Sequence, residues 1–133
     1  MPDEINVMVV DDESIVGKRL KPALERRGYV VEVFGDGDDA IERLGERAFD
    51  IVVTDIRMPN VDGMQLLEHI VARELRTKVI LITGYATVDV AREALRKGAY
   101  DFIAKPFKPA DLRAVIERAS RALAESAAAS EES

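Results

Sequence analysis

Residues 79–104 read VILITGYATVDVAREALRKGAYDFIA, and this stretch decides the fold. Val79 to Ile82 form an unbroken apolar run, as a strand covered on both faces must. Thr87 then offers a helix N-cap, and Val88, Ala91 and Leu95 recur at helical spacing along one stripe. Gly98 stands where that helix should stop, and Tyr100 to Ala104 returns to a short run with aromatic and β-branched residues. Strand, crossover helix and second strand are the repeating unit of a parallel sheet.

The same alternation runs through the whole chain, five times over. Strands are predicted at Ile5 to Val10, Val30 to Phe34, Ile51 to Thr54, Val79 to Ile82 and Tyr100 to Ala104. The helices carry apolar stripes: Val16, Leu20, Ala23 and Leu24; Ala40, Ile41 and Leu44; Met64, Leu67 and Val71; Val88, Ala91 and Leu95; and Leu112, Val115, Ile116, Ala119 and Leu123. Gly28 marks a second helix stop, and Asp36 and Asp62 are further N-cap residues. Pro22 lies inside the first helix, forfeits the bond to the Lys18 carbonyl, and predicts a bend there. The runs ending at Val10, Thr54 and Ile82 are almost wholly apolar and belong in the middle of the sheet. Glu32 and Asp101 place the second and fifth strands at the edges. The order 2-1-3-4-5, which flavodoxin-like proteins share, satisfies these constraints. The expected fold is α/β, a five-stranded parallel sheet with five helices on two faces. Residues 1–123 form the domain, and 124–133, where the apolar stripe is lost, read as a frayed tail or the start of a linker.

Composition narrows the function. In 133 residues there is room for one compact domain that buries roughly two thirds of its unfolded surface. A net charge of -6 disfavours direct contact with nucleic acid or anionic membranes. The absence of cysteine excludes disulfides, thiolate metal sites and thiol catalysis. Asp3 and Glu4 stand where a secretory leader would be basic, and no apolar run approaches the ~18 residues of a membrane span, so a cytoplasmic location is expected.

In an open parallel sheet, ligands bind beyond the carboxyl ends of the strands. There the sequence places Asp11 and Asp12 after the first strand, Asp55 after the third, Thr83 at the end of the fourth and Lys105 after the fifth. Any one of these alone reads as a cap or turn residue. Together, three carboxylates at one edge repel one another and raise one another's pKa unless a cation lies among them. Oxygen-only ligands in small number suit Mg²⁺. A lysine ammonium and a threonine hydroxyl then remain to bind the oxygens of a transferred phosphoryl group, with Asp55 as nucleophile.

These residues resemble the receiver domain of two-component response regulators, the CheY-like family, over Val7 to Leu123. The resemblance rests on Val9-Val10-Asp11-Asp12-Glu13, Thr54-Asp55-Ile56-Arg57-Met58-Pro59, Asp62-Gly63, Ile82-Thr83-Gly84 and Lys105-Pro106-Phe107. It implies that Asp55 takes a phosphoryl group from a phosphohistidine on a sensor histidine kinase. It implies Mg²⁺ ligation by Asp12, Asp55 and the backbone carbonyl of Arg57, with Asp11 acting through water. Thr83 and Lys105 would contact phosphoryl oxygens, Thr83 and Phe102 would form the switch, and the Lys105–Pro106 bond would be cis. Output would pass through helix four, strand five and helix five to a homodimer partner or a C-terminal effector domain. Ile82 to Phe107 looks most like receivers of sigma-54-dependent activators. Arg57 and Tyr85 occupy positions where the family varies and where it tunes dephosphorylation.

Two other classes leave traces. Gly35-Asp36-Gly37-Asp38-Asp39-Ala40 fits a dinucleotide fingerprint in form, but three acids would confront a pyrophosphate there. Phosphatases of the haloacid dehalogenase type also pair an aspartyl nucleophile with Mg²⁺, yet their second acid falls at position 57, which is Arg. His69, the sole histidine, reads as a solvated surface residue.

Overall fold

The computed structural model describes residues 4–73 and 76–132, so the first three residues of the acidic start and Ser133 of the expected tail lie outside the described residues. Five strands alternate with five helices: β1 (Asn6–Val10), α1 (Ser14–Glu25), β2 (Val30–Phe34), α2 (Gly37–Glu46), β3 (Ile51–Asp55), α3 (Gly63–Ala72), β4 (Lys78–Thr83), α4 (Val88–Arg96), β5 (Asp101–Ala104) and α5 (Pro109–Glu132). All neighbouring strands are parallel, in the order β2-β1-β3-β4-β5.

The period-two alternation of the strands divides the core between the two sheet faces. Val7 and Val9 of β1 join Leu20 and Leu24 of α1 and Leu112 and Ile116 of α5 in one cluster. Met8 and Val10 point the other way, into a cluster with Ala40, Leu66, Leu67, Ile70 and Ala94. Every residue of β3 is buried, as the central strand requires. The edge strands tolerate charge as expected. Glu32 on β2 accepts hydrogen bonds from Arg43 (2.8 Å) and Arg47 (2.9 Å), and Asp101 on β5 lies 3.5 Å from Arg118.

The helix signals in the sequence correspond to real caps. Asp36 accepts from Asp39 N, Thr87 from Val90 N, and Asp62 forms a reciprocal capping box with Gln65. Gly28 and Gly98 take positive φ, 91° and 109°, just after α1 and α4 end.

Four expectations change. The buried stripe of α3 is Leu66, Leu67 and Ile70, while Val71 is exposed. On α4 only Ala94 is fully buried, and Val88 and Leu95 face solvent. In both helices two stripes fit a 3.6-residue period, and sequence alone does not say which one meets the sheet. His69 is half-buried, and burial, then Arg73, pushes its imidazole below the ordinary 6.5. Finally, α5 does not stop near Leu123 but runs to Glu132. Loss of an apolar stripe is not loss of helix when four of residues 124–129 are alanine, the strongest helix former. The first helix, by contrast, holds through Pro22 as its placement there implies, with the Arg26 amide bonded to the Pro22 carbonyl at 3.1 Å.

Candidate phosphate and cation site

The parallel strands bring their carboxyl ends to one edge, and the candidate residues follow from that register. Asp11 comes immediately after β1, Asp55 and Thr83 are the last residues of β3 and β4, and Lys105 comes immediately after β5. Asp11 and Asp55 are only 2% and 5% exposed, while Asp12 is open to solvent. One carboxylate oxygen from each of the three lies within 4.8 Å of the others.

Lys105 is the counter-charge. Its Nζ donates to Asp55 Oδ2 at 2.8 Å and to Glu13 Oε1 at 2.8 Å, and lies 2.9 Å from Asp11 Oδ2. That last contact is close in distance but off the direction of a hydrogen bond, so Asp11 Oδ2 is buried without a hydrogen-bond partner. Its other oxygen accepts from the Glu13 amide at 2.8 Å. Burial pushes the Asp11 carboxyl above its ordinary 3.8, with the Asp55 charge adding to the rise and Lys105 opposing it. Burial also works against the Lys105 ammonium, but its hydrogen bonds to Asp55 and Glu13, with the negative charge of Asp11 close by, overcome it and hold that group well above 10.5. The stabilisation from Lys105 is therefore in place below pH 10.5 and lost as the pH rises beyond it.

A hard divalent ion fits this donor set. Three carboxylates converge, one of their buried oxygens is orphaned, and a single lysine leaves the cluster negative. The same strain gives an expected outcome in the metal-free domain. Asp11→Asn should raise its stability at neutral pH by about 1 kcal/mol, because a buried, imperfectly paired charge is removed. Since the folded pKa of Asp11 lies above the unfolded value, its ionisation costs stability as pH rises. The advantage of the variant should therefore shrink as pH falls toward 3.8. Thermal unfolding in chelator across that pH range measures it, and an unstable variant at pH 7 would contradict the assignment of strain.

The remaining candidate residues surround the cluster. The Arg57 amide donates to Asp55 Oδ1 at 3.2 Å, while its guanidinium turns outward and stacks 3.9 Å from the Tyr85 ring centroid. Thr83 is buried, and its hydroxyl accepts from the Tyr85 amide at 3.1 Å. Its hydroxyl is hydrogen-bonded to neither Asp55 nor Lys105. Phe102 stands apart from the cluster, half-buried against the core on the Met8 side of the sheet. The Lys105–Pro106 bond is cis. Two features lay beyond sequence reasoning: the reach of Glu13 to Lys105, 92 positions away, and the stacking of Arg57 on Tyr85. A run of three acids was visible, but Glu13 also stands at the N-cap of α1, and no pattern says which way it turns.

The rival chemistries lose their residues here. Asp36 is committed to capping α2, and the side chain at position 57 is a guanidinium stacked on an aromatic ring, with no acid in that place.

The response regulator receiver domain matches residues 7–117. The chain belongs to this family. Among curated relatives, the receiver is 39% identical over 113 residues to the regulatory protein AtoC of Escherichia coli, covering 85% of this chain and 24% of AtoC. It is 37% identical over 126 residues to the transcriptional regulatory protein FixJ of Bradyrhizobium diazoefficiens, covering 95% of this chain and 61% of FixJ. Of solved structures, the receiver domain of NtrX from Brucella abortus superposes with a TM-score of 0.79 at 36% identity, over 85% of this receiver and 96% of that one. The receiver thus spans about a quarter of the length of AtoC. Among the described residues, no helix is long and apolar enough to cross a membrane.

Proposed function

We propose that this receiver accepts a phosphoryl group on Asp55 from a phosphohistidine of a sensor histidine kinase, in a Mg²⁺-dependent transfer. The observation that carries this reading is the meeting of Asp11, Asp12 and Asp55 within 4.8 Å beside Lys105. An Asp55 carboxylate oxygen forms a bond to phosphorus as the phosphorus–nitrogen bond breaks, and the electron pair leaves with the imidazole. Asp12, Asp55 and the Arg57 carbonyl would hold Mg²⁺, with Asp11 acting through water. When bound, the ion supplies positive charge against the carboxylates and the phosphoryl oxygens. Lys105 binds one phosphoryl oxygen, and the Thr83 hydroxyl exchanges the Tyr85 amide for another.

Moving Thr83 biases a two-state equilibrium of the loop between β4 and α4, to which Phe102 responds. Tyr85, Val88 and Leu95 are exposed on and before α4, which supports α4, β5 and α5 as the output face and a route to homodimers. Curated relatives extend well beyond the matched region, which supports a C-terminal effector domain after residues 1–123, with 124–133 leading toward it. Transcriptional control by such an effector, a cytoplasmic setting and no direct nucleic-acid contact by this acidic segment complete the proposal. The domain turns over no external substrate; its chemistry is its own phosphorylation and slow hydrolysis.

Labelling by acetyl phosphate tests the metal requirement. It is expected with Mg²⁺ and should fall by about a hundredfold or more in excess chelator, because the acidic cluster then repels the donor. Equal labelling in chelator would overturn the cation-dependent reading.

A further inference from the structure

Glu13 occupies the N-cap position of α1 but makes no side-chain capping bond. At that position a side chain would ordinarily satisfy one of the free amides of the first helical turn. Its carboxylate reaches instead across the carboxyl edge of the sheet to Lys105, at 2.8 Å. The two partners are unequal: the Glu13 side chain is 61% exposed and that of Lys105 16%. Of the three carboxylates on the ammonium, those of Asp11 and Asp55 are buried and fixed by backbone contacts at 2.8 and 3.2 Å. Glu13 alone among them can turn to water without moving a strand.

We propose that Glu13 is a releasable counter-ion for Lys105, a positioning residue that holds the ammonium between Asp55 and α1 until phosphoryl oxygens on Asp55 displace it. The inference deepens the phosphoacceptor reading and rests on it. A tetrahedral anion on Asp55 places new acceptor oxygens beside Nζ, and Glu13 then becomes an unfavourable like charge near them. Its departure frees one N–H of Lys105 for the phosphoryl group and releases the start of α1 from the loop that follows β5. Glu13 therefore opposes phosphorylation slightly and ties α1 to the state of the site. Such a partly exposed pair is worth little to the fold, which is what a releasable contact requires.

The test is titration of Glu13→Gln with beryllofluoride at saturating Mg²⁺, next to the parent and to Glu46→Gln, which makes the same charge change at the far end of α2. Glu13→Gln should bind the mimic about threefold more tightly, an advantage that fades at high salt. Glu46→Gln should match the parent. The Nζ resonance of Lys105, followed in ¹⁵N-lysine protein, should shift on mimic binding in the parent. In Glu13→Gln it should begin displaced and move less, which a purely structural role for Glu13 would not produce. If the parent binds the mimic and Glu13→Gln binds it no more tightly, or its lysine signal moves as in the parent, the counter-ion role is wrong and the phosphoacceptor reading stands. If the parent ignores Mg²⁺ and the mimic altogether, both fall.

Discussion

Asp55→Asn should lose all labelling by acetyl phosphate while remaining folded. The expectation follows from what asparagine keeps and what it lacks. It has the same shape, and its one amide oxygen can keep one of the two bonds that Asp55 accepts on separate oxygens, from the Arg57 amide on Oδ1 or from Lys105 on Oδ2, so the end of β3 has little reason to move. It also removes one of three carboxylates that lie within 4.8 Å of one another, so the metal-free variant should unfold no earlier than the parent. An amide, however, has no carboxylate oxygen with which to form an acyl phosphate. Mg²⁺ affinity should fall by about tenfold or more, since an anionic ligand becomes neutral, and each tenfold is about 1.4 kcal/mol. Intact-mass spectrometry after acetyl phosphate treatment, with circular dichroism as the folding control, separates the two effects. Comparable labelling in the variant would move the acceptor to Asp12 or elsewhere and overturn the site assignment.

The parts of this molecule that the sequence states plainly are those set by one-dimensional periodicity and by punctuation. Five apolar runs give five strands, Glu32 and Asp101 mark the edges, and Asp36, Asp62 and Thr87 cap helices where they stand. The acidic edge is legible too, because parallel strands must deliver their ends to the same side, which brings Asp11, Asp55 and Lys105 together. Legibility ends where two solutions share a period. Val88 and Leu95 satisfy a helical stripe as well as Ala94 does, and only the three-dimensional fit of a small side chain against β5 and its neighbours decides between them. It ends again where contacts are long-range and carried by flexible side chains. Neither the bond from Lys105 to Glu13 nor the stacking of Arg57 on Tyr85 has a spacing that could announce it. At the end of α5, propensity and amphipathicity part company, and for residues 124–132 propensity prevails.

A single added carbon should damage the site from outside it. Gly63 begins α3 and donates its amide to the Ile56 carbonyl at 2.8 Å, which draws the helix start against the end of β3. A Cβ at this position would overlap the Asp55 carbonyl oxygen and lie 2.8 Å from Ile56 Cα. Both obstacles are backbone, one at the last residue of the strand that presents Asp55 and one just beyond it, so no side-chain rotation can relieve them. Gly63→Ala must push α3 away, lose the amide bond, or shift the Asp55–Ile56 peptide. Overpacking of this kind costs about 1–3 kcal/mol. The functional loss should be larger in proportion, because a displacement near 1 Å at a reacting group can cost about a hundredfold in rate. Gly45→Ala is the matched control, since nothing lies within 4 Å of its added Cβ and alanine favours the helix interior. Urea midpoints and acetyl phosphate labelling rates on both variants test the argument. Gly45→Ala should be as stable as the parent or more so, with normal labelling, while Gly63→Ala should unfold earlier and, under conditions where it is still folded, label far more slowly. Normal labelling by a folded Gly63→Ala would mean that the close approach of α3 to β3 does not position Asp55 after all.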